Sequence, residues 1–137
     1  MGLDGMIRDA TFSDIPDIVR FLNLMFLRTH YAASGLAEID IAETKRLLVN
    51  SINRHGNKHG GACFVQVSEQ NGQVDGLIVG TLVRVYSIFN KLMATDLFWV
   101  TDENANPRAA MGLMKNMLTW AWSCPQVIEA NCGTTAI

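Results

Sequence analysis

The dipeptide Asn71-Gly72 stands between two runs rich in β-branched residues, Ala62–Glu69 (ACFVQVSE) and Val74–Tyr86 (VDGLIVGTLVRVY). A two-residue turn of the type that matches strand twist needs positive φ at both central positions, which Asn and Gly tolerate. The feature therefore predicts an antiparallel hairpin at the centre of the chain. It also marks a change of period, with helical spacing before it and strand-like spacing after it. Gly76 and Gly80 inside the second run predict a bulge or a close approach of another backbone.

Upstream, Met6–Ala10 reads as a short first strand. Ser13 is placed to cap a helix whose first turn carries Asp14 and Asp17, acids that suit the helix dipole. Pro16 is tolerated there because a first-turn N–H has no helical partner. Ile15, Ile18, Val19, Leu22, Met25 and Phe26 then recur on one helical face, and Phe21, Leu24 and Leu27 widen it. Asp40-Ile-Ala-Glu43 has the form of a capping box opening a second helix to about Arg54, with Gly56 as its stop. The polar, glycine-rich stretch NRHGNKHGG (53–61) is a loop.

Downstream of the hairpin come a strand at Ala94–Thr101, the polar loop DENANP, a helix within Asn106–Trp122 and a last strand at Val127–Cys132. The order β-α-α-β-β-β-α-β indicates an α/β (α+β) domain with a mixed, mostly antiparallel sheet and helices on both faces. A right-handed final crossover makes the last strand parallel to Ala94–Thr101.

Size and charge narrow the partners. The 137 residues suit one domain, 1–137, and no repeat or linker divides them. A formal charge of −2 without a basic block argues against nucleic acid or an anionic membrane as partner. There is no signal-peptide pattern and no apolar run long enough for a bilayer. Cys63, Cys124 and Cys132, odd in number and widely spaced, read as reduced thiols of a cytoplasmic protein. His55, His59 and Cys63 recur every fourth residue, but Gly56, Gly60 and Gly61 break the helix that would align them as zinc ligands. No metal is expected. Serine or cysteine nucleophiles lack an elbow or a histidine partner.

Three segments carry a resemblance: IRDATFSDIPDIVRFLN, GQVDGLIVGTLVRV and ATDLFWVTDENANPRAAMGLMKNML. With the element order, they resemble the GNAT superfamily of acyl-CoA-dependent N-acyltransferases over nearly the whole chain. The third segment resembles the fourth strand and cofactor helix, where many members read like aeIedLyVxPxyRGxGIGxxLL. That motif needs small residues so that backbone N–H groups can close on a pyrophosphate, aided by the helix terminus. If Leu118 aligns with the closing leucine, Gly112 takes the central glycine position, with Ala109 in place of the leading Arg or Gln and Met114 in place of the final small residue. If Arg108 is the leading Arg, Met111 and Leu113 fall on the small positions. Arg108 could meet a phosphate directly, and Ala109 and Ala110 keep the turn slim. The alternative reading of the same helix is a core stripe of Ala110, Leu113, Met117 and Ala121 with Gly112 as a packing residue.

What the resemblance implies is N-acetyl transfer from acetyl-CoA to a primary amine, or a catalytically silent module that binds acyl-CoA or a protein. Backbone groups of Trp99, Val100 and Thr101 would hold the pantetheine arm, and Asn131 would bond the cofactor. Asp96 would be the general base, a role that typically contributes roughly 10²–10⁴-fold, with Glu69, Asp75 and His30 as fallbacks. His30 and Tyr31, at the end of the first helix, would line the acceptor pocket. The family's usual last helix and strands, and the tyrosine that protonates the leaving thiolate, have no counterpart in this sequence, so a homodimer is expected to cover an open sheet edge.

Overall fold

The computed structural model describes residues 6–133. Five strands form one sheet in the order β1 (Met6–Asp9), β2 (Cys63–Gln70), β3 (Gln73–Arg84), β4 (Leu92–Thr101) and β5 (Val127–Asn131). The first three pairings are antiparallel and β4–β5 is parallel, as the crossover through a helix requires. Asn71 and Gly72 hold φ of 53° and 77°, which closes the β2–β3 hairpin as the dipeptide predicted.

Four helices accompany the sheet: α1 (Ile15–Phe26), α2 (His30–Ser34), α3 (Ile41–Asn53) and α4 (Ala109–Trp122). Period-two alternation divides the strands' side chains between two cores. Val65, Val67, Leu77 and Val79 face α1 and α3, where they meet Ile18, Phe21, Leu22 and Leu48. Phe64, Ile78, Leu82 and Ala94 face α4, where they meet Leu113, Met117, Trp120 and Ala121. Each large aliphatic side chain fully buried in this way contributes roughly 1.5–3 kcal/mol. α4 lies very close to the sheet because Gly76 and Gly80 carry no side chain beneath it. A Cβ on Gly80 would collide with Met117, and one on Gly76 would meet Ser68, Thr101 and Leu113.

Several boundaries differ from the sequence expectation, each for a local reason. Ser13 is not the helix cap. A short 3-10 turn at Phe12–Asp14 intervenes, and Asp14 takes the position before α1 while its carboxylate accepts the Thr11 N–H at 2.8 Å. Arg8 grips Asp14 through two hydrogen bonds of 2.7 and 2.8 Å and also donates to Glu69 at 2.8 Å, so β1, β2 and the start of α1 are tied together. The Asp14 carboxyl is held at about 2, first by that guanidinium. His30 and Tyr31 do not end the first helix. α1 stops at Phe26, and a separate short helix, α2, begins at His30 and closes on Gly35 at φ 71°. β3 ends at Arg84, with Val85–Ser87 turning as a 3-10 segment, and β4 starts earlier, at Leu92.

The loop after α3 is ordered by His55. Its Nδ1 accepts the Val65 N–H at 2.9 Å and its Nε2 lies 3.2 Å from Asp9, so an imidazole continues the edge of β2 where β1 ends. Among the described residues no cluster of His, Cys, Asp or Glu could hold a metal ion, and no helix is long and apolar enough to cross a membrane. All three cysteines are free thiols.

Candidate active site

The site begins with a fork in the sheet. β4 and β5 pair only from Leu92–Val127 to Thr95–Asn131, whereas β4 runs on to Thr101. At the same level the β3–β4 register jumps from Val79–Phe98 to Gly80–Asp96 and leaves Leu97 as an extra residue. A bulge bends its strand and raises its twist. It also reverses side-chain parity: Ala94 faces α4, but beyond Leu97 it is Trp99 that packs on the α4 side while Phe98 and Val100 join the α1/α3 core. The edge of β4 beyond Thr95 therefore lacks a strand partner among the described residues. Its main chain is open to an extended ligand.

Asp96 stands at this branch point. Its Oδ1 accepts the Gly133 N–H at 3.0 Å, which anchors the chain leaving β5 to β4. Oδ2 has no hydrogen bond among the described residues. The neighbouring Cys132 thiol is pushed up by burial and then by the negative charge of Asp96. The fallback carboxylates are occupied elsewhere: Glu69 by Arg8, and Asp75 by the Ser68 hydroxyl at 2.6 Å.

The second part of the site is the beginning of α4. Asn106 caps it twice, its Oδ1 accepting from Arg108 N at 2.8 Å and its carbonyl from Ala109 N at 2.9 Å. Gly112 N donates to the Arg108 carbonyl at 2.9 Å. Among the described residues the N–H groups of Ala110 and Met111 have no acceptor. No acid lies in the first turn, and the exposed Arg108 guanidinium is unpaired among the described residues. Two open amides, a cation and the positive end of the helix dipole are groups whose chemistry suits an anion. Trp99 fixes its position, because the indole N–H donates to the Ala110 carbonyl at 2.9 Å and pins the first turn of α4 to β4.

Ala109, Leu113 and Met114 bury their side chains, and Met111 is 65% exposed. A Cβ on Gly112 would stand 2.5 Å from Ile7 Cδ1 of β1, a contact that a turn of that side-chain end relieves. The unengaged main-chain donors lie one and two residues earlier. Asn131 is exposed at the end of β5, opposite Thr95.

The third part is a cavity of about 790 Å³ on the α1/α3 side of the fork. Leu97, Phe98, Trp99 and Val100 form one wall, Leu22, Met25 and Phe26 another, and Tyr31 stands at its margin. His30 is not among its lining residues; its ring lies 4.0 Å from that of Tyr31, centroid to centroid. Arg28, just beyond α1, approaches Asp102 at 3.5 Å and Glu103 at 3.8 Å, linking this wall to the loop that leads into α4.

The bulge lies where Gly80 predicted a bulge or a close approach, since the β3–β4 register shifts between Val79 and Gly80; the Asn106 cap and the Trp99 bond were not foreseen. The bulge left a trace in LFWV (97–100), an apolar run in which alternation breaks down. Asn106 before Pro107 is a recognisable cap signal. Nothing local announces the partner of Trp99.

No family model matches the chain, and no curated protein matches it. Solved structures do. A predicted acetyltransferase from Clostridium acetobutylicum, solved with acetyl-CoA, matches at TM-score 0.68 and 14% identity, covering 96% of this chain and 81% of that one. Glucosamine-6-phosphate N-acetyltransferase from Arabidopsis thaliana matches at TM-score 0.68 and 10% identity, covering 96% and 83%. A GNAT family acetyltransferase from Staphylococcus aureus matches at TM-score 0.60 and 15% identity, covering 96% and 89%. The fold of this chain is thus that of the GNAT acetyltransferases.

Proposed function

We propose that the protein is an N-acetyltransferase that moves an acetyl group from acetyl-CoA directly to a primary amine held in the cavity beside β4. The observation that carries this reading is the juxtaposition of an unpaired β4 edge with two unengaged amides at the start of α4. Together they offer main-chain partners for an extended arm and for a diphosphate. The Ala110 and Met111 N–H groups and the Arg108 guanidinium would hold the diphosphate. Backbone groups of Trp99, Val100 and Thr101 would align the arm as an extra strand, and Asn131 lies across the mouth of the fork. A backbone N–H along that edge would polarise the thioester carbonyl.

Acetyl-CoA supplies an activated acyl group, so the chain has only to position it and handle one proton. As the neutral amine nitrogen bonds to the carbonyl carbon, the C–S bond breaks with its electron pair leaving on the CoA thiolate, and the proton leaving nitrogen passes to Asp96 Oδ2, the unengaged oxygen at the fork. Solved structures of this fold include an acetyl-CoA complex and an amino-sugar acetyltransferase, which supports the general chemistry. The expected homodimer belongs to the same reading, with a second copy covering the β5 edge, where Ile128 is exposed.

Asp96→Asn tests the assignment, because an amide oxygen can still accept the Gly133 N–H while losing basicity. Acetyl-CoA affinity by calorimetry should hold, and amine-dependent thiol release should fall by roughly 10²–10⁴-fold. An unchanged rate would reduce Asp96 to an anchor. Failure of the unaltered protein to bind acetyl-CoA would remove the enzyme reading altogether.

A further inference from the structure

The turn that joins β3 to β4 is built against the usual rules for an exposed connection. Residues 86–89 are Tyr, Ser, Ile and Phe, and Tyr86, Ile88 and Phe89 are 80%, 75% and 49% exposed. Single apolar residues are ordinary on a surface, but three within four positions make a patch. Tyr86 and Ser87 also hold φ of 50° and 63°, the left-handed region that Gly or Asn occupies at less cost. The Tyr86 and Phe89 rings meet edge to face with centroids 5.8 Å apart, so the exposed aromatics form one cluster. The core gains nothing from a bulky residue at such a φ, because the Tyr86 side chain lies outside it. Strain of this kind collects where a surface has a use.

The charges around the turn are of one sign. Arg84 and Lys91 flank it, both exposed. Lys58, also exposed, lies in the adjoining loop, whose Gly60 and Gly61 border the same hollow as Arg84 and Tyr86. None of the three cations is in an ion pair among the described residues. No Asp or Glu occurs in 54–63, 82–93 or 120–128, the stretches that meet at this end of the sheet. The first acid met is Glu129 on β5, opposite Met93. The charge of −2 argues against a membrane partner for the chain as a whole, but the fold gathers scattered cations at one end.

We propose that this turn docks on an anionic lipid surface, with Tyr86, Ile88 and Phe89 entering the boundary between headgroups and acyl chains. Lys58, Arg84 and Lys91 pair with the lipid charges. An inserted apolar group and a basic rim are the two signals that attachment without a spanning helix requires. An exposed turn with apolar side chains on its outside suits a fluid surface, and aromatic rings favour that depth. The inference is independent of the acetyltransferase reading. β4 runs from Leu92 to Thr101, about 30 Å, so a docked turn leaves the mouth of the fork and the start of α4 clear.

Co-sedimentation of the full chain with phosphatidylcholine vesicles, with and without phosphatidylserine, tests the proposal. The protein should sediment with the phosphatidylserine vesicles and stay in solution with the neutral ones, and added salt should release it. Ile88→Asp should abolish sedimentation. Lys91→Gln should weaken it roughly fivefold, the effect of one cation near the surface. Tyr86→Gly separates docking from folding: removing strain should hold or raise Tm while vesicle binding falls. The other two variants change exposed side chains and should keep the parent Tm. Equal binding to both vesicle types, binding to neither, or binding that ignores Ile88→Asp overturns the inference. A dimer seen by light scattering that Ile88→Asp dissolves, without vesicle binding, assigns the turn to a second copy instead. Retention on heparin without vesicle binding assigns the cations to an acidic polymer.

Discussion

Ala110→Pro removes one of the two open amides at the start of α4 and should leave the helix standing. In a helix interior proline costs about 3 kcal/mol or more, because it deletes a hydrogen bond and its ring meets the carbonyl four residues back. Neither loss applies fully here. The Ala110 N–H has no acceptor among the described residues, and the Asn106 carbonyl is engaged by Ala109. The chain already tolerates the arrangement once: Pro16 occupies the second position of α1 after Ile15 at φ −55° and ψ −46°. The carbonyl that receives the Trp99 indole is kept. What disappears is one donor to a phosphate, a charge-assisted bond worth roughly 1.5–3 kcal/mol. At about 1.4 kcal/mol per tenfold, the Kd for acetyl-CoA should rise roughly 10- to 100-fold. Isothermal titration with acetyl-CoA measures this, and acetyl-pantetheine, which has no diphosphate, is the control whose affinity should not move. A Kd for acetyl-CoA within about twofold of the parent would refute the cradle. So would an equal loss for acetyl-pantetheine, which would show that the proline had distorted the site.

Two further outcomes follow from the packing and the ion network. With its pKa held at about 2 against a usual 3.8, Asp14 stays ionised in the folded chain after the unfolded chain has taken up its proton. Its contribution, on the order of 2 kcal/mol, is therefore complete above about pH 4 and lost as pH falls toward 2. Urea unfolding across that range should show the loss, and Asp14→Asn should flatten it. Gly112→Ala should shift Tm little, because the new methyl meets only Ile7 Cδ1, the movable end of a side chain, and the loss of a helix glycine returns roughly 0.5–1 kcal/mol. A fall in acetyl-CoA affinity at unchanged Tm would place Gly112 in the phosphate site.

How much of this could be read from the chain depends on the range of the interaction. The hairpin followed from Asn71-Gly72, the two cores from period-two and helical spacing, and the parallel last strand from the crossover. Each of these is a local steric or periodic rule that a linear sequence carries in full. The family resemblance pointed to the start of α4 in the same way, through Arg108 and the alanines. What packs against that helix was not legible, because the side chain beside Gly112 is Ile7, from the other end of the chain.

Tertiary structure alone decided where the amides are open and where the sheet parts. Trp99 and Ala110 are neighbours only because α4 folds back over β4. Asp96 and Gly133 meet only because β5 lies beside β4. The bulge at Leu97 sends Phe98 and Val100 toward a cavity whose other wall is α3. A residue's type and spacing fix what its own backbone prefers. Whether a main-chain donor is left unsatisfied, or a charge unpaired, depends on which distant groups arrive beside it, and that is settled only when the two cores close.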